Sequence, residues 1–173
     1  MSVNIVLKLG PKPEIGGESV IDKHTGEIDC LSWSWGMTQT GSGHRGTGGG
    51  TGSADVQDLT IVKWVDAASP SLAAYCFNGT PLGDSILTCI KVGGGKPGAP
   101  NKVEFVKITM SGTVQISSTK SGEPEVIDGK TTDRFLETIT LHFTVVNFDY
   151  TAQKADNSPG AVFPSNAIKI ATT

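Results

Sequence analysis

Cysteine is scarce in this sequence, and what there is does not pair. Cys30, Cys76 and Cys89 are three in 173 residues, odd in number, widely spaced and without a CxxC pair. That excludes a disulfide framework and a structural zinc site, and it leaves buried, reduced thiols as the reading. Charge is sparse as well: 18 % of residues are charged and the formal net charge is −3. Nucleic acid and anionic membranes reward a concentrated basic patch, whereas the lysines here are scattered, so neither partner is expected. No apolar run approaches the length of a membrane span, which excludes insertion, and the stretch Met1–Lys8 lacks the layout of a cleavable leader. Catalytic signatures are missing too. There is no HExxH and no GxSxG elbow, and the acidic residues are spread out, so no catalytic residue, metal or cofactor is assigned.

Glycine and proline are present in quantity, 22 and 9 residues, and they punctuate a chain of alternating strands. Val3–Leu9 reads as a strand stopped by Gly10-Pro11-Lys12-Pro13. Val20-Ile21-Asp22 reads as extended. Further strands are expected over 28–36, 54–65, 82–92, 103–118 and 135–150, with a last one within 161–170. Val106, Ile108, Met110, Val114 and Ile116 share one face of the 103–118 strand, and Gly112 marks a bend or bulge in it. Ile139, Leu141, Phe143 and Val145 face inward from the 135–150 strand, with Thr138, Thr140, His142 and Thr144 outward. Lys120–Thr132 between them reads as a polar loop or hairpin connection. One helix is expected over about 69–78, with Ser69 as N-cap, Pro70 in its first turn and Gly79 at its end. Leu72, Tyr75 and Cys76 form its apolar stripe. Alternation with one wet face is the pattern of antiparallel sheets, so the class is all-β with one short helix, a barrel or two packed sheets in a single domain, 1–173.

The chain is organised around residues 28–65, which hold all three tryptophans. Strand parity puts Asp29, Leu31, Trp33 and Trp35 on one face and Ile28, Cys30, Ser32 and Ser34 on the other. Two tryptophans two residues apart bury a large area together, so their face meets the core and the serine face meets water or a wet cavity. Between the flanking strands lies the loop Met37–Ser53, glycine-rich and almost without apolar side chains. Alone it buries too little to offset its ordering entropy, and a loop of this length in a compact domain is usually either functional or disordered. Its Gly41-Ser42-Gly43-His44-Arg45-Gly46 has dinucleotide spacing. No helix follows to receive a pyrophosphate, so nucleotide binding is rejected, and His44 and Arg45 remain as contacts at the loop tip. His24 is expected in a solvent-facing turn. A thiol–imidazole reading of Cys30 with a distant histidine is a hydrolase alternative of low weight.

Several ordered segments carry a further signal: Gly17-Glu18-Ser19, Gly26-Glu27-Ile28-Asp29, Leu31-Ser32-Trp33-Ser34-Trp35-Gly36, Gly46-Thr47-Gly48-Gly49-Gly50 and Val56-Gln57-Asp58-Leu59-Thr60. Asp66, Ser69-Pro70-Ser71-Leu72, Val103-Glu104-Phe105, Tyr150 and Gln153 continue the order. On these the chain resembles the Hcp family, the haemolysin-coregulated proteins of type VI secretion systems, from Val3 to about Gln153. The resemblance implies an antiparallel β-barrel of two packed sheets with one helix, forming hexameric rings. Rings would stack into an inner tube, driven by a contractile sheath and capped by a spike protein. The tube would be assembled in the cytoplasm and released outside the cell or into target cells without a leader. It would carry or chaperone small effectors and catalyse nothing. Departures fall in loops: Gly10–Glu14 is long, Ser53 stands where lysine is common, and Gly93–Asn101 is extended.

On this reading Ser34, with Ser32 beside it, faces the channel and its cargo, while Gln39, His44, Arg45 and Thr47 make subunit or ring contacts. The competing class is a lectin-like ligand-binding β-barrel that uses Trp33, Trp35 and Trp64 as stacking surfaces.

Overall fold

Alternating apolar and polar residues bury one side of the strands over 59–64, 102–111 and 136–142, and the sides so buried face each other across a single core. The computed structural model describes residues 2–39, 54–92 and 102–170. Its strands are β1 (Ser2–Lys8), β2 (Ile28–Cys30), β3 (Ser32–Ser34), β4 (Met37–Gln39), β5 (Ala54–Val56) and β6 (Leu59–Trp64). After helix α1 (Ser69–Asn78) come β7 (Ser85–Val92), β8 (Lys102–Ser111), β9 (Gln115–Ile127), β10 (Lys130–His142), β11 (Val145–Gln153), β12 (Pro159–Pro164) and β13 (Ile168–Lys169). One sheet runs β12-β11-β8-β7-β1-β2, with β13 also on β11. A second runs β3-β6-β10-β9, and β4 and β5 make a separate two-stranded arm. Every pairing among these elements is antiparallel. The two packed sheets and the helix match expectation, but neither ladder closes on itself among the described residues.

Several expected strands are pairs of strands that change sheet midway. The stretch 28–36 leaves the first sheet after Cys30 and joins the second at Ser32, with the Leu31 amide donating to the Val62 carbonyl. The crossing shifts parity by one residue. Ile28 is buried and Cys30 part-buried against the core, Leu31 is exposed, and Trp33 and Trp35 then return to the core. Asp29 and Leu31 therefore do not share the tryptophans' face, and Cys30 is not on the wet one. The stretch 54–65 divides at Gln57–Asp58, where the chain leaves the arm for the second sheet.

The 103–118 and 135–150 stretches also break, and their two corners interlock. Gly112 takes φ +76°, where a Cβ would lie 2.2 Å from Thr144 Oγ1. That same hydroxyl accepts a hydrogen bond from the Thr113 amide at 3.0 Å. At the second corner the inward position passes from the expected Val145 to Val146, because the turn at Phe143–Thr144 resets the alternation. Between the corners, residues 120–132 are no loop. They form most of the far end of a β9–β10 ribbon closed by Asp128 and Gly129, both at positive φ. Residues 20–22 form no strand; they lie at the start of a turn, and Val20 is exposed.

Helix α1 ends as expected at Gly79, whose φ of +62° lets its amide bond back to the Cys76 carbonyl. Its start differs. Ser69 is the first helical residue and Ala68 the cap, because the Ser69 hydroxyl is engaged beneath the second sheet. Leu72 is buried in the core, and Tyr75 and Cys76 pack against it.

Candidate functional site: the hydroxyl-rich face of the second sheet

The second sheet has two unlike faces, and β6 shows why. Leu59, Ile61 and Lys63 are buried, while Thr60, Val62 and Trp64 alternate to the other side. Cross-strand register extends that outer side. One row is Ser34, Thr60, Thr140 and Ser118; the next is Ser32, Val62, Thr138 and Lys120. The result is a wall of small hydroxyl side chains with few apolar groups. Ser32 and Ser34 are exposed on its open edge, and among the described residues their hydroxyls have no protein partner.

The wall is fixed at both ends. A bulge near Thr140 brings both Ser117 and Ser118 to 2.7 Å from the Thr140 hydroxyl, and Ser117 also donates to Asp58. Asp58 holds His142 Nδ1 at 3.1 Å, which leaves the imidazole half-exposed as the alternation implied. At the other end Trp64 Nε1 donates to Glu125 Oε1 at 3.0 Å, and the Arg134 guanidinium lies 4.2 Å from the Trp64 ring centre.

Behind the wall, the sheet's buried side carries an ion pair. Lys63 and Glu137 are directly opposed across β6 and β10, and their side chains are 0 % and 1 % exposed. Lys63 Nζ donates to Asp66 Oδ1 at 2.7 Å, the Trp64 carbonyl at 2.7 Å and Ser69 Oγ at 3.1 Å, and forms an ion pair with Glu137 Oε2 at 2.8 Å. Ser69 Oγ in turn donates to Glu137 at 2.7 Å, and Ser121 donates to the other carboxylate oxygen at 2.9 Å. Burial pushes the Glu137 carboxyl up. The hydrogen bonds from Lys63, Ser69 and Ser121, with the Lys63 charge, more than offset this and hold it below its ordinary value. The network ties the first turn of α1 to the underside of the wall. The sequence of β6 gave no sign of it, since Glu137, the fully buried carboxylate of the network, lies 74 residues further on.

Trp33 and Trp35 anchor β3 from below. Trp33 packs on Phe148 at 6.3 Å between ring centres, Trp35 on Phe143 at 6.2 Å, and Trp35 Nε1 donates to the Gln57 carbonyl at 2.9 Å. With these two facing the core and Trp64 under Arg134, the three tryptophans offer no common stacking platform, which removes the ground of the lectin-like reading. The Cys30 thiol donates to the Ile28 carbonyl, and burial raises its pKa far above the ordinary thiol value, so it is no nucleophile at neutral pH. His24 is not a solvent-facing turn residue. Its side chain is 12 % exposed between Glu27 and Glu104. Gln39 is exposed at the end of β4. His44, Arg45 and Thr47 lie outside the described residues.

An antiparallel two-sheet fold that leaves a hydroxyl-rich face exposed, with Ser32 and Ser34 unengaged among the described residues, is that of a protein that makes contacts. Comparison with known proteins agrees. The family described as "Type VI secretion system effector, Hcp" matches residues 6–150. Protein hcp1 of Pseudomonas aeruginosa is 40 % identical over 158 residues, 91 % of this chain and 89 % of that protein. A solved type six secretion system protein superposes with a TM-score of 0.77 at 27 % identity, covering 94 % of this chain and 93 % of the other. Hcp1 from Salmonella typhimurium superposes at 0.68 and 27 % identity, covering 95 % and 92 %. The chain is a type VI secretion protein. It belongs to the Hcp family, the tube proteins of that system.

Proposed function

We propose that this chain is the repeating unit of hexameric rings that stack into the inner tube of a type VI secretion system. The observation that carries this is the pair of edges on the second sheet that stay open among the described residues, β3 on one side and β9 on the other. Unlike edges join head to tail, and a head-to-tail contact either closes a ring or grows a filament. The ribbon supports the same reading. β10 pairs with β6 only between Leu136 and Leu141, so beyond it β9 and β10 run on as two strands alone. They carry Val126, Ile127 and Phe135, each more than half exposed. A lone two-stranded hairpin is marginal in water, and a neighbouring copy supplies the missing cover.

In such a ring the hydroxyl wall lines the channel, with Ser34 and Ser32 touching cargo that the tube carries or chaperones. The β4–β5 arm and the segment beyond it reach the next ring, with Gln39, His44, Arg45 and Thr47 as contacts. The tube is driven by a contractile sheath, capped by a spike protein and released from the cell. Native mass spectrometry with electron microscopy tests the reading. Hexamers and open-centred annular particles are expected, and Phe135→Arg is expected to yield folded monomers. A wild-type protein that stays monomeric at high concentration overturns the ring.

A further inference from the structure

Residues 16–19 and 26–29 are tied to each other, the Gly17 amide donating to the Gly26 carbonyl and the Ser19 amide to the Glu27 carbonyl. This tied segment borders two grooves of opposite charge. The first, of about 410 Å³, has Trp64, Val65 and Phe135 as apolar walls and Glu18, Asp29 and Asp133 as carboxylates. Val65 and Phe135 are 45 % and 53 % exposed. None of these three carboxylates has an ion pair or a side-chain hydrogen bond among the described residues. The other charged groups on this groove are engaged, Asp66 with Lys63 and Arg134 over the Trp64 ring. The second groove, of about 620 Å³, carries Lys8, Lys12 and Lys23 around Pro11 and Pro13. Lys8 and Lys23 are exposed and likewise without a partner among the described residues, and Lys12 lies 6.0 Å from the Tyr75 ring centre. Glu27, the carboxylate on its lining, is taken up by His24 at 2.9 Å.

With Asp66 set aside beside Lys63, three carboxylates against Arg134 leave two negative charges on the first groove, and three lysines against Glu27 leave two positive charges on the second. We propose that the acidic groove of one copy seats the lysine groove of the next copy in the ring. The inference rests on the ring reading and names a polar contact within it. Glu18 and Asp29 border one groove and Gly16 and Glu27 the other, on one tied segment, so the two grooves cannot meet within a single chain. Phe135, a wall of the acidic groove, also belongs to the β9–β10 ribbon, whose exposed Val126 and Ile127 call for cover by a neighbour. Lysine suits both parts of this groove, because its stem covers apolar walls while its ammonium group reaches the carboxylates. Because the two surfaces are unlike, the contact is head to tail, as ring closure requires. Pairs of this kind fix register and exclude wrong partners.

Charge reversal read by native mass spectrometry tests the contact. One variant carries Glu18→Lys with Asp133→Lys and so has two basic grooves; the other carries Lys8→Glu with Lys23→Glu and has two acidic ones. Each variant alone should assemble only at a concentration at least about tenfold above the wild type's, because like charges then face each other. An equal mixture should regain rings in which the two variants alternate, three copies of each, which their different masses identify. Rings formed by either variant as readily as by the wild type, or a mixture no better than its parts, overturn the contact and leave the ring reading standing. A wild type that stays monomeric overturns both, whereas charge-dependent dimers in place of rings uphold the contact and overturn the ring. Should a variant fail to fold, the salt dependence of the wild type decides. Assembly should weaken between about 50 and 500 mM salt as screening shortens the reach of exposed charges, and equal assembly at both overturns the proposal.

Discussion

Replacing Lys63 by methionine removes one buried charge and strands another. The methionine fills most of the lysine stem's volume, so the cavity contribution is small. What changes is the environment of Glu137, 1 % exposed, and of Asp66, 11 % exposed, which both lose their ammonium partner while the Trp64 carbonyl loses a donor. Breaking a buried pair by removing one member costs about 3–5 kcal/mol. At roughly 2–4 °C per kcal/mol for a domain of this size, Tm falls by about 6–20 °C. Replacing both members, Lys63→Met with Glu137→Leu, should recover most of that loss, because an apolar pair needs no compensating charge. Urea unfolding followed by tryptophan fluorescence, at one fixed protomer concentration, measures both variants.

The pH dependence supplies a sign. Glu137 is depressed in the folded protein, so its contribution is complete above the unfolded value of about 4.5 and is lost as pH falls through the folded value. Without Lys63 the burial effect gains on the remaining hydrogen bonds, so the depression shrinks or reverses. The deficit of Lys63→Met against wild type should therefore be largest at neutral pH and shrink toward pH 4. A single variant within about 1 kcal/mol of wild type would refute the reasoning, and so would a double variant no more stable than the single one.

Two other outcomes follow from the packing. Cys30 and Cys89, whose thiols are raised by burial, should resist alkylation in the native protein at pH 7.5 and react fully in urea, as mass spectrometry of the labelled chain would show. Gly112→Ala should destabilise by about 1–3 kcal/mol, since it combines a left-handed backbone with a collision against Thr144. Thr144→Ala in the same background should relieve the collision but not the backbone strain, so a double-mutant cycle in urea separates the two.

How much was legible in advance follows the range of each interaction. Alternation is local, so the inward set Val106, Ile108, Met110, Val114, Ile116, Ile139, Leu141 and Phe143 could be read from parity and is buried. The helix, set by Pro70 and Gly79, also came out at its expected place, 69–78. The family was legible because several motifs recur in order over most of the chain. The serine face of β3 was legible as well, since Ser32 and Ser34 alternate with two tryptophans that have to be buried.

Other features depended on residues far apart in the chain. Nothing within 28–36 announces that the strand leaves one sheet for another at Leu31. That break is made by β1 on one side and β6 on the other, and it moved Cys30 inward and Leu31 outward. The corners at Gly112 and Thr144 define each other. Lys63 finds Glu137, and His24 finds Glu104, only once the sheets have brought their strands together. Sequence alone determined which side chains seek the core, because hydrophobic burial acts on each strand's own period of two. Tertiary structure alone decided where strands change sheet and which charges meet, because those contacts exist only when segments distant along the chain share one surface.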